Sequence, residues 1–370
     1  MVRWRRGVVE AVQRVWPGAV ECTVEVPGEG VLPALAHPPL VGAPQPGDAV
    51  LLNTSALQRG LGTGGYALVV ALPERLPPDP PQGAGHLVKA RYTPLQAMVL
   101  GVDEQDSAHH DALADADDLA GLPVVVADLH SSLPAVLTGA RTERAARGLG
   151  APRAVYVMTD GGALPAWFSR AAAGLRAAGW LAGVVTVGQA FGGDLEAATL
   201  HTGLLAARAV LGADLAVVAQ GPGNLGTGTR WGFSGVAAGE AVNAAAVLGG
   251  RPVAALRVSG ADARLRHRGI SHHSLTAYGR VALAPADVVV PLGLPDAALQ
   301  ELVLRSAAAL GAPAGRHRLV PVQTSGLLQP LADGERSSGV RLSTMGRGLA
   351  QDPAAFLAAA AAGAHAASLP

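Results

Sequence analysis

Eight short apolar runs, beginning near Ala97, Pro123, Ala154, Gly183, Leu215, Pro252, Asp287 and His317, recur at intervals of 26 to 37 residues. A strand, a crossover helix and the return to a parallel neighbour take about 30 residues. That spacing restricts the chain to few folds. Runs such as Val124-Val125-Val126 and Val288-Val289-Val290 lack polar alternation, as parallel strands covered on both faces do. The intervening segments are rich in alanine, a strong helix former. The expected fold class is α/β, a doubly wound, mostly parallel sheet, Rossmann-like in three layers. No sequence similarity recurs at that period, which speaks against a solenoid.

The first 72 residues follow another rule. Val20, Cys22, Val24 and Val26 alternate with Glu21, Thr23 and Glu25, the period of a strand with one face in a core. Similar runs at 7–12, 31–36, 48–53 and 66–72 are separated by turns such as Pro27-Gly28 and Pro46-Gly47. Five short strands predict a small β-barrel. Residues 73–85 hold Pro73, Pro77, Pro78, Pro80 and Pro81, which cannot donate ladder hydrogen bonds. The expected domains are a barrel at 1–75, a Pro-rich linker and junction at 76–94, and the α/β domain at 95–370.

Composition narrows the function classes. Basic and acidic residues number 28 each, and only 13 residues are aromatic. Such a chain has neither the field nor the stacking platforms for nucleic acid. A single cysteine, Cys22, allows no intramolecular disulfide and no Cys-rich zinc site, so any metal would sit on His, Asp or Glu. A reducing, cytoplasmic location fits. No export signal is expected after Arg3, Arg5 and Arg6, and the apolar stretch 356–369, broken by Gly363 and His365, reads as a helix and not a membrane span. Charged residues make up 15% of the chain, against about 25% in ordinary soluble domains. That scarcity predicts a homo-oligomer, most simply a two-fold dimer. Lys89 is the one lysine beside 27 arginines, and it is expected to be partly buried against a carboxylate.

Open α/β sheets bind ligands at the carboxyl ends of their strands. Residues 221–226 match GxGxxG between an apolar run and an alanine-rich segment at 234–248. Bound NAD is nevertheless disfavoured. Pro222 removes a donor, Glu240 falls inside the helix where a ribose-binding acid should end the next strand, Asp262 comes too late, and residues 60–65 match the same pattern inside the β domain. The preferred expectation is an anion site using Gly221, Gly223, Asn224, Gly226, Thr227, Thr229 and Arg230 near a helix N-terminus; the alternative is a tight turn. Arg264, Arg266, His267, Arg268, His272 and His273 place six potential cations in ten residues. They suggest carboxylate or phosphate recognition, with Arg268 joining the anion set. His272 and His273, with His130, are the candidate acid/base groups. The alternatives are a solvated basic loop with Ser271 capping a helix, and a core histidine at 130. Ser132 before Leu133-Pro134 reads as a helix N-cap. Asp128 and Asp160 are the expected compensators of the cations and the candidate ligands of a divalent metal; Asp160 is also a candidate to orient a histidine. The acids at 103–118 read as a solvated helix. No GxxxxGK[ST], HExxH, GxSxG or CxxC is present, so P-loop enzymes, zincins and serine hydrolases of the α/β type lose support.

Segments 87–96 (LVKARYTPLQ), 186–205 (TVGQAFGGDLEAATLHTGLL), 220–243, 266–291 and 343–348 (STMGRG), with QGPGNLGTGT and RHRGISHHSLTAYGR among them, resemble an actinobacterial family of proteins of unknown function. The resemblance covers nearly the whole chain and implies an actinobacterial source, but no activity, cofactor or catalytic residue. The site residues therefore carry the expectation: a small anionic, phosphorylated metabolite, bound at the carboxyl edge and processed by histidine acid/base chemistry as hydrolysis or group transfer. The alternatives are a non-catalytic nucleotide or metabolite sensor with the barrel as its interaction arm, and an atypical dinucleotide-dependent oxidoreductase.

Overall fold

The computed structural model describes residues 1–61, 64–81 and 83–370. Gly62 and Thr63 of the first GxGxxG match, and Gln82 of the proline segment, lie outside the described residues. The chain divides into two units, Met1–Val99 and Leu100–Pro370.

In the first unit, β1 (Trp4–Trp16), β2 (Ala19–Val26), β3 (Gly30–Ala36), β4 (Ala49–Asn53) and β5 (Ala67–Ala71) form a closed barrel in the order β1-β2-β3-β5-β4, with the short helix α1 (Pro38–Val41) between β3 and β4. The long strand β1 pairs antiparallel with both β2 and β4, and its register shifts at Val9/Ala11 and Val12/Arg14. Such irregularities bend a strand so that it can serve two neighbours. The alternation in β2 sends Val20, Cys22, Val24 and Val26 into the barrel core. Gly7 is required where β1 crosses it, because a Cβ there would stand 2.5 Å from Val24 Cγ1.

Cys22 is fully buried in that core, and burial, helped by Glu21, pushes its thiol up to about 11. Only the thiolate reacts with alkylating agents. Iodoacetamide at pH 8 is therefore expected to leave the native chain unlabelled and to label one site after denaturation. Rapid native labelling would contradict the barrel.

The run at Ala97 does not enter the large sheet. It becomes β7 (Ala97–Val99), antiparallel to β6 (Leu87–Lys89) in the first unit, which thus extends past the proline segment. The chain touches the large sheet only after β7, where Gly101 makes an isolated parallel bridge to Glu196; the next α-helix is α2 (His110–Leu113). Lys89, in β6, is 2% exposed.

In the second unit, the apolar runs become β8 (Pro123–Val126), β9 (Ala154–Thr159), β10 (Gly183–Thr186), β12 (Leu215–Gln220), β13 (Arg251–Ala255), β16 (Asp287–Leu292) and β17 (Arg318–Gln323), and a short β11 (Leu195–Glu196) adds the edge. All eight are parallel, in the order β11-β10-β9-β12-β8-β13-β16-β17. The crossover helices are α3 (Leu133–Ala146) after β8, α4 (Arg170–Ala177) after β9, α5 (Leu200–Ala209) after β11, α6 (Ala237–Val247) after β12 and α8 (Ala297–Ala307) after β16. Two small hairpins complete the unit: β14 (Val258–Ser259) with β15 (Gly269–Ile270), followed by α7 (His272–Thr276), and, after α9 (Leu328–Ser338), β18 (Ser343–Thr344) with β19 (Arg347–Gly348). The path from β8 to β9 runs one way along the sheet, and the path from β12 to β13 runs the other way. Right-handed crossovers in opposite directions lie on opposite faces, so α3 and α4 cover one face while α5, α6 and α8 cover the other. The last helix, α10 (Pro353–Ser368), joins α3 and is buried along most of its length. Gly139 of α3 and Gly363 of α10 let the two backbones touch: a Cβ on either would stand 1.9 Å from a carbonyl oxygen of the other helix. Among the described residues, no helix is long and apolar enough to cross a membrane.

Candidate functional site

The exits of β8 and β9 turn to one face and those of β12 and β13 to the other, yet the strands interleave as β9-β12-β8-β13. Neighbouring chains therefore part at the carboxyl edge, the arrangement that opens a binding crevice.

Asp128, just after β8, is 2% exposed. Its Oδ2 lies 3.6 Å from His273 Nδ1 and 3.8 Å from Arg257 Nη1, both beyond hydrogen-bond distance. Gln220 ends β12 and donates from Nε2 to the Asp128 carbonyl at 2.8 Å. Two glycines make room for this pair: a Cβ on Gly161 would stand 2.6 Å from Gln220 Oε1, and one on Gly235 would stand 3.1 Å from Asp128 Cβ. Asn224 accepts from Ser234 Oγ at 3.1 Å. Asp128 Oδ2, Gln220 Oε1, Asn224 Nδ2 and His272 Nε2 are all buried without a hydrogen-bond partner among the described residues. Buried polar atoms are rarely left so.

The β14–β15 hairpin and α7 bring three imidazoles beside Asp128. Ser271 caps α7, its Oγ accepting from His273 N at 3.2 Å and pairing with His267 Nδ1 at 2.7 Å. His273 stacks on Phe233 with ring centroids 3.8 Å apart and 2° between the planes. Ring centroids within the trio are 5.0, 4.4 and 4.9 Å apart, and one nitrogen from each of His267, His272 and His273 lies within 4.8 Å of the others. Burial, then the neighbouring His273, Arg266 and Arg257, holds His272 down to about 4. Burial, then Arg257 and Arg264, holds His267 down to about 3. Both are uncharged at neutral pH and keep a free lone pair.

The cation density is relieved differently from the sequence expectation. Asp262, not Asp160, takes Arg264 in two bonds of 2.9 Å, and Arg347 Nη2 stands 3.4 Å from it. Arg264 holds the Asp262 carboxyl well below the usual carboxylate range. The buried Asp352 accepts from Ser259 Oγ at 2.5 Å, Gly260 N at 3.0 Å and Arg347 Nε at 3.1 Å. These bonds fasten the β14 loop to the β18–β19 hairpin.

Asp128, His272 and His273 thus lie together, while Asn224 is tied to Ser234, which lines the same small space as Asp128. Asp160 instead accepts from Gln189 N at 2.8 Å. His130 is engaged at both nitrogens, with Tyr156 Oη at 3.0 Å and Ser169 Oγ at 2.7 Å. Ser132 occupies the N-cap of α3, but its side chain makes no cap bond. Gly221 serves close packing, since a Cβ there would stand 2.3 Å from Ala163 O, whereas Gly223 has φ 92°, a conformation that favours glycine. Several loop donors are used internally, Leu225 N to Ser234 Oγ and Thr227 N to Gly232 O, while Thr227 and Thr229 pair their hydroxyls at 3.0 Å. Gly226, Arg230 and Arg268 are exposed. The loop tip nonetheless faces the basic segment, since a Cβ on Gly228 would stand 3.6 Å from Arg266 Nη2. Gln220 and Arg257 were not singled out as site residues in the sequence; as the polar residues closing β12 and following β13, their strand-exit position was the available signal.

Residues 33–363 match a family model described as "Protein of unknown function (DUF3866)". No curated protein and no solved structure matches the chain.

Proposed function

The chain belongs to the DUF3866 family, and from that premise, which brings no activity with it, we propose that the second unit binds a small anionic, phosphorylated metabolite at the carboxyl ends of β8, β12 and β13 and processes it by hydrolysis or group transfer. The observation that carries the reading is the set of four unpartnered buried polar atoms, with the Arg257 guanidinium 3.8 Å from the one on Asp128. Asp128 Oδ2 and Gln220 Oε1 offer acceptors to a water in the small space they line, and Arg257, 3.8 Å from Asp128 Oδ2, supplies positive charge behind the anion. His273, fixed by Phe233 and facing Asp128, is positioned to move a proton as long as no metal holds its ring. The enclosed space lined by Asp128, Gln220 and Ser234 is only about 10 Å³, room for about one water. The metabolite in this reading therefore lies over the mouth, between Thr227, Thr229 and Arg230 on one side and Arg266 and Arg268 on the other. A cytoplasmic location and a two-fold dimer complete the proposal, supported by the single cysteine and the low charged fraction.

A melting screen with inorganic phosphate, sugar phosphates and nucleotides tests it. A ligand at about 100 times its Kd stabilises by about 2.7 kcal/mol, which at roughly 2–4 °C per kcal/mol raises Tm by roughly 5–11 °C. Arg266→Ala with Arg268→Ala, and separately Asp128→Asn, are expected to remove most of that rise. The proposal fails if no phosphorylated compound shifts Tm, or if the shift survives both sets of substitutions.

A further inference from the structure

His130 and His317 show how this protein treats a histidine that only packs. His130 is bonded at both nitrogens, and His317 accepts from Ala286 N at 3.2 Å while its Nε2 donates to Tyr278 O at 2.6 Å. The trio at 267, 272 and 273 is different: three imidazoles crowd together and His272 Nε2 is buried with no partner among the described residues. We propose that His267, His272 and His273 form a divalent-metal site of the three-nitrogen type suited to zinc, with Asp128 as the carboxylate that orients His273.

Zinc binds imidazole nitrogens at about 2.0–2.1 Å, so three ligands of a tetrahedron stand about 3.4 Å from one another. One nitrogen from each ring is already within 4.8 Å of the others, so the three close by up to about 1.4 Å on ligation. His267 is oriented for ligation, because Ser271 Oγ holds its Nδ1 and leaves Nε2 free. His273 needs one rearrangement. Arg257 Nη1 lies 3.2 Å from its Nδ1, and a guanidinium only donates, so Nδ1 is the acceptor and the ring proton sits on Nε2. Ligation through Nε2 moves that proton to Nδ1, where the unpartnered Asp128 Oδ2, now 3.6 Å away, accepts it. A histidine held between a carboxylate and a metal has its ring orientation fixed and its basicity raised. Arg257, freed from His273, stands beside the carboxylate and any anion on the metal. Three protein nitrogens leave a fourth position open, the pattern of catalytic rather than structural zinc. Zinc is preferred to magnesium or calcium because the donors are imidazoles and not oxygens.

The test uses the full chain, dialysed against a chelator and titrated with zinc chloride alone by calorimetry, with cobalt(II) absorption reporting tetrahedral geometry. One equivalent per chain is expected. His272→Gln, at a half-buried position, is expected to weaken binding at least 100-fold, and Asp128→Asn by about 10- to 100-fold. His201→Ala, an exposed histidine of α5, is expected to change nothing. Circular dichroism of each variant separates lost binding from lost folding. No saturable binding, or binding that His272→Gln leaves intact, overturns the site. Because the probe is the metal alone, binding without any metabolite-induced rise in Tm would keep this site and discard the metabolite.

Discussion

Gly363→Val is expected to cost the second unit at least about 3 kcal/mol, at or beyond the upper end of ordinary overpacking. At residue 363 even a Cβ would stand 1.9 Å from Val136 O, 2.7 Å from its carbonyl carbon and 3.0 Å from its Cα, and real Cβ atoms stay beyond 3.0 Å. These neighbours are backbone atoms, so no rotamer change relieves the clash. The helices must separate, and the alanines along α10, chosen by the close crossing, lose their contacts together. At roughly 2–4 °C per kcal/mol, Tm should fall by roughly 6–12 °C or more. Gly139→Val, against Ala360 O at 1.9 Å, should match it. Ala145→Val, exposed on α3, should cost less than about 1 kcal/mol. A Gly363→Val chain that melts like the parent would show that the backbones do not touch.

The second large effect is a loss of stability in acid. Burial holds His130 down to about 4, whereas an unfolded histidine titrates near 6.5. Its Nδ1 donates to Tyr156 Oη, which donates on to Gln220 O at 3.0 Å, and its Nε2 accepts from Ser169. A charged ring would stand in that network without water, and burial is what disfavours it. Above about pH 6.5 both states are uncharged and the group has no effect on stability. As pH falls from about 6.5 toward 4, the unfolded chain takes up a proton that the folded one refuses. Stability is lost at up to about 1.4 kcal/mol per pH unit, about 3 kcal/mol in all, and the loss levels off below the folded value. His267 and His272, also held low, add in the same direction. Denaturant unfolding between pH 7.5 and 4.5 measures this, and His130→Phe should flatten the slope by one proton. Equal slopes for parent and variant would refute the account.

Strand starts were legible because parallel strands are buried on both faces: Pro123, Ala154, Gly183, Leu215 and Asp287 each begin a strand as read, and Pro252 and His317 miss by one residue. The barrel was legible from the period-two alternation in β2. Ala97 misled because an apolar run does not reveal its partner, and this one pairs with β6 while only Gly101 beyond it bridges to Glu196. At the site, the strand-exit rule brought Asp128, His272 and His273 together, but side-chain bookkeeping was invisible. The sequence spacing of Arg264 and Asp262 does not show a two-bond pair, and nothing near Asp352 marks it as the partner of Ser259, 93 positions away. Gly221 and Gly223 look like a nucleotide fingerprint because glycine is selected by close backbone approach, at 221 to Ala163, and by a left-handed φ, at 223, with or without a phosphate.

The pairing of α3 with α10 also sets a timetable. α3 ends at Ala146 and α10 begins at Pro353, so roughly 200 residues separate the helix from its cover, and at about 5–20 residues per second the ribosome needs about 10–40 s to supply it. Throughout that interval the Leu133, Val136 and Leu137 face of α3 is an uncovered apolar surface on a nascent chain, the kind of surface that chaperones hold. The rate at which this protein reaches its native state in a cell is thereby tied to the speed of its own translation.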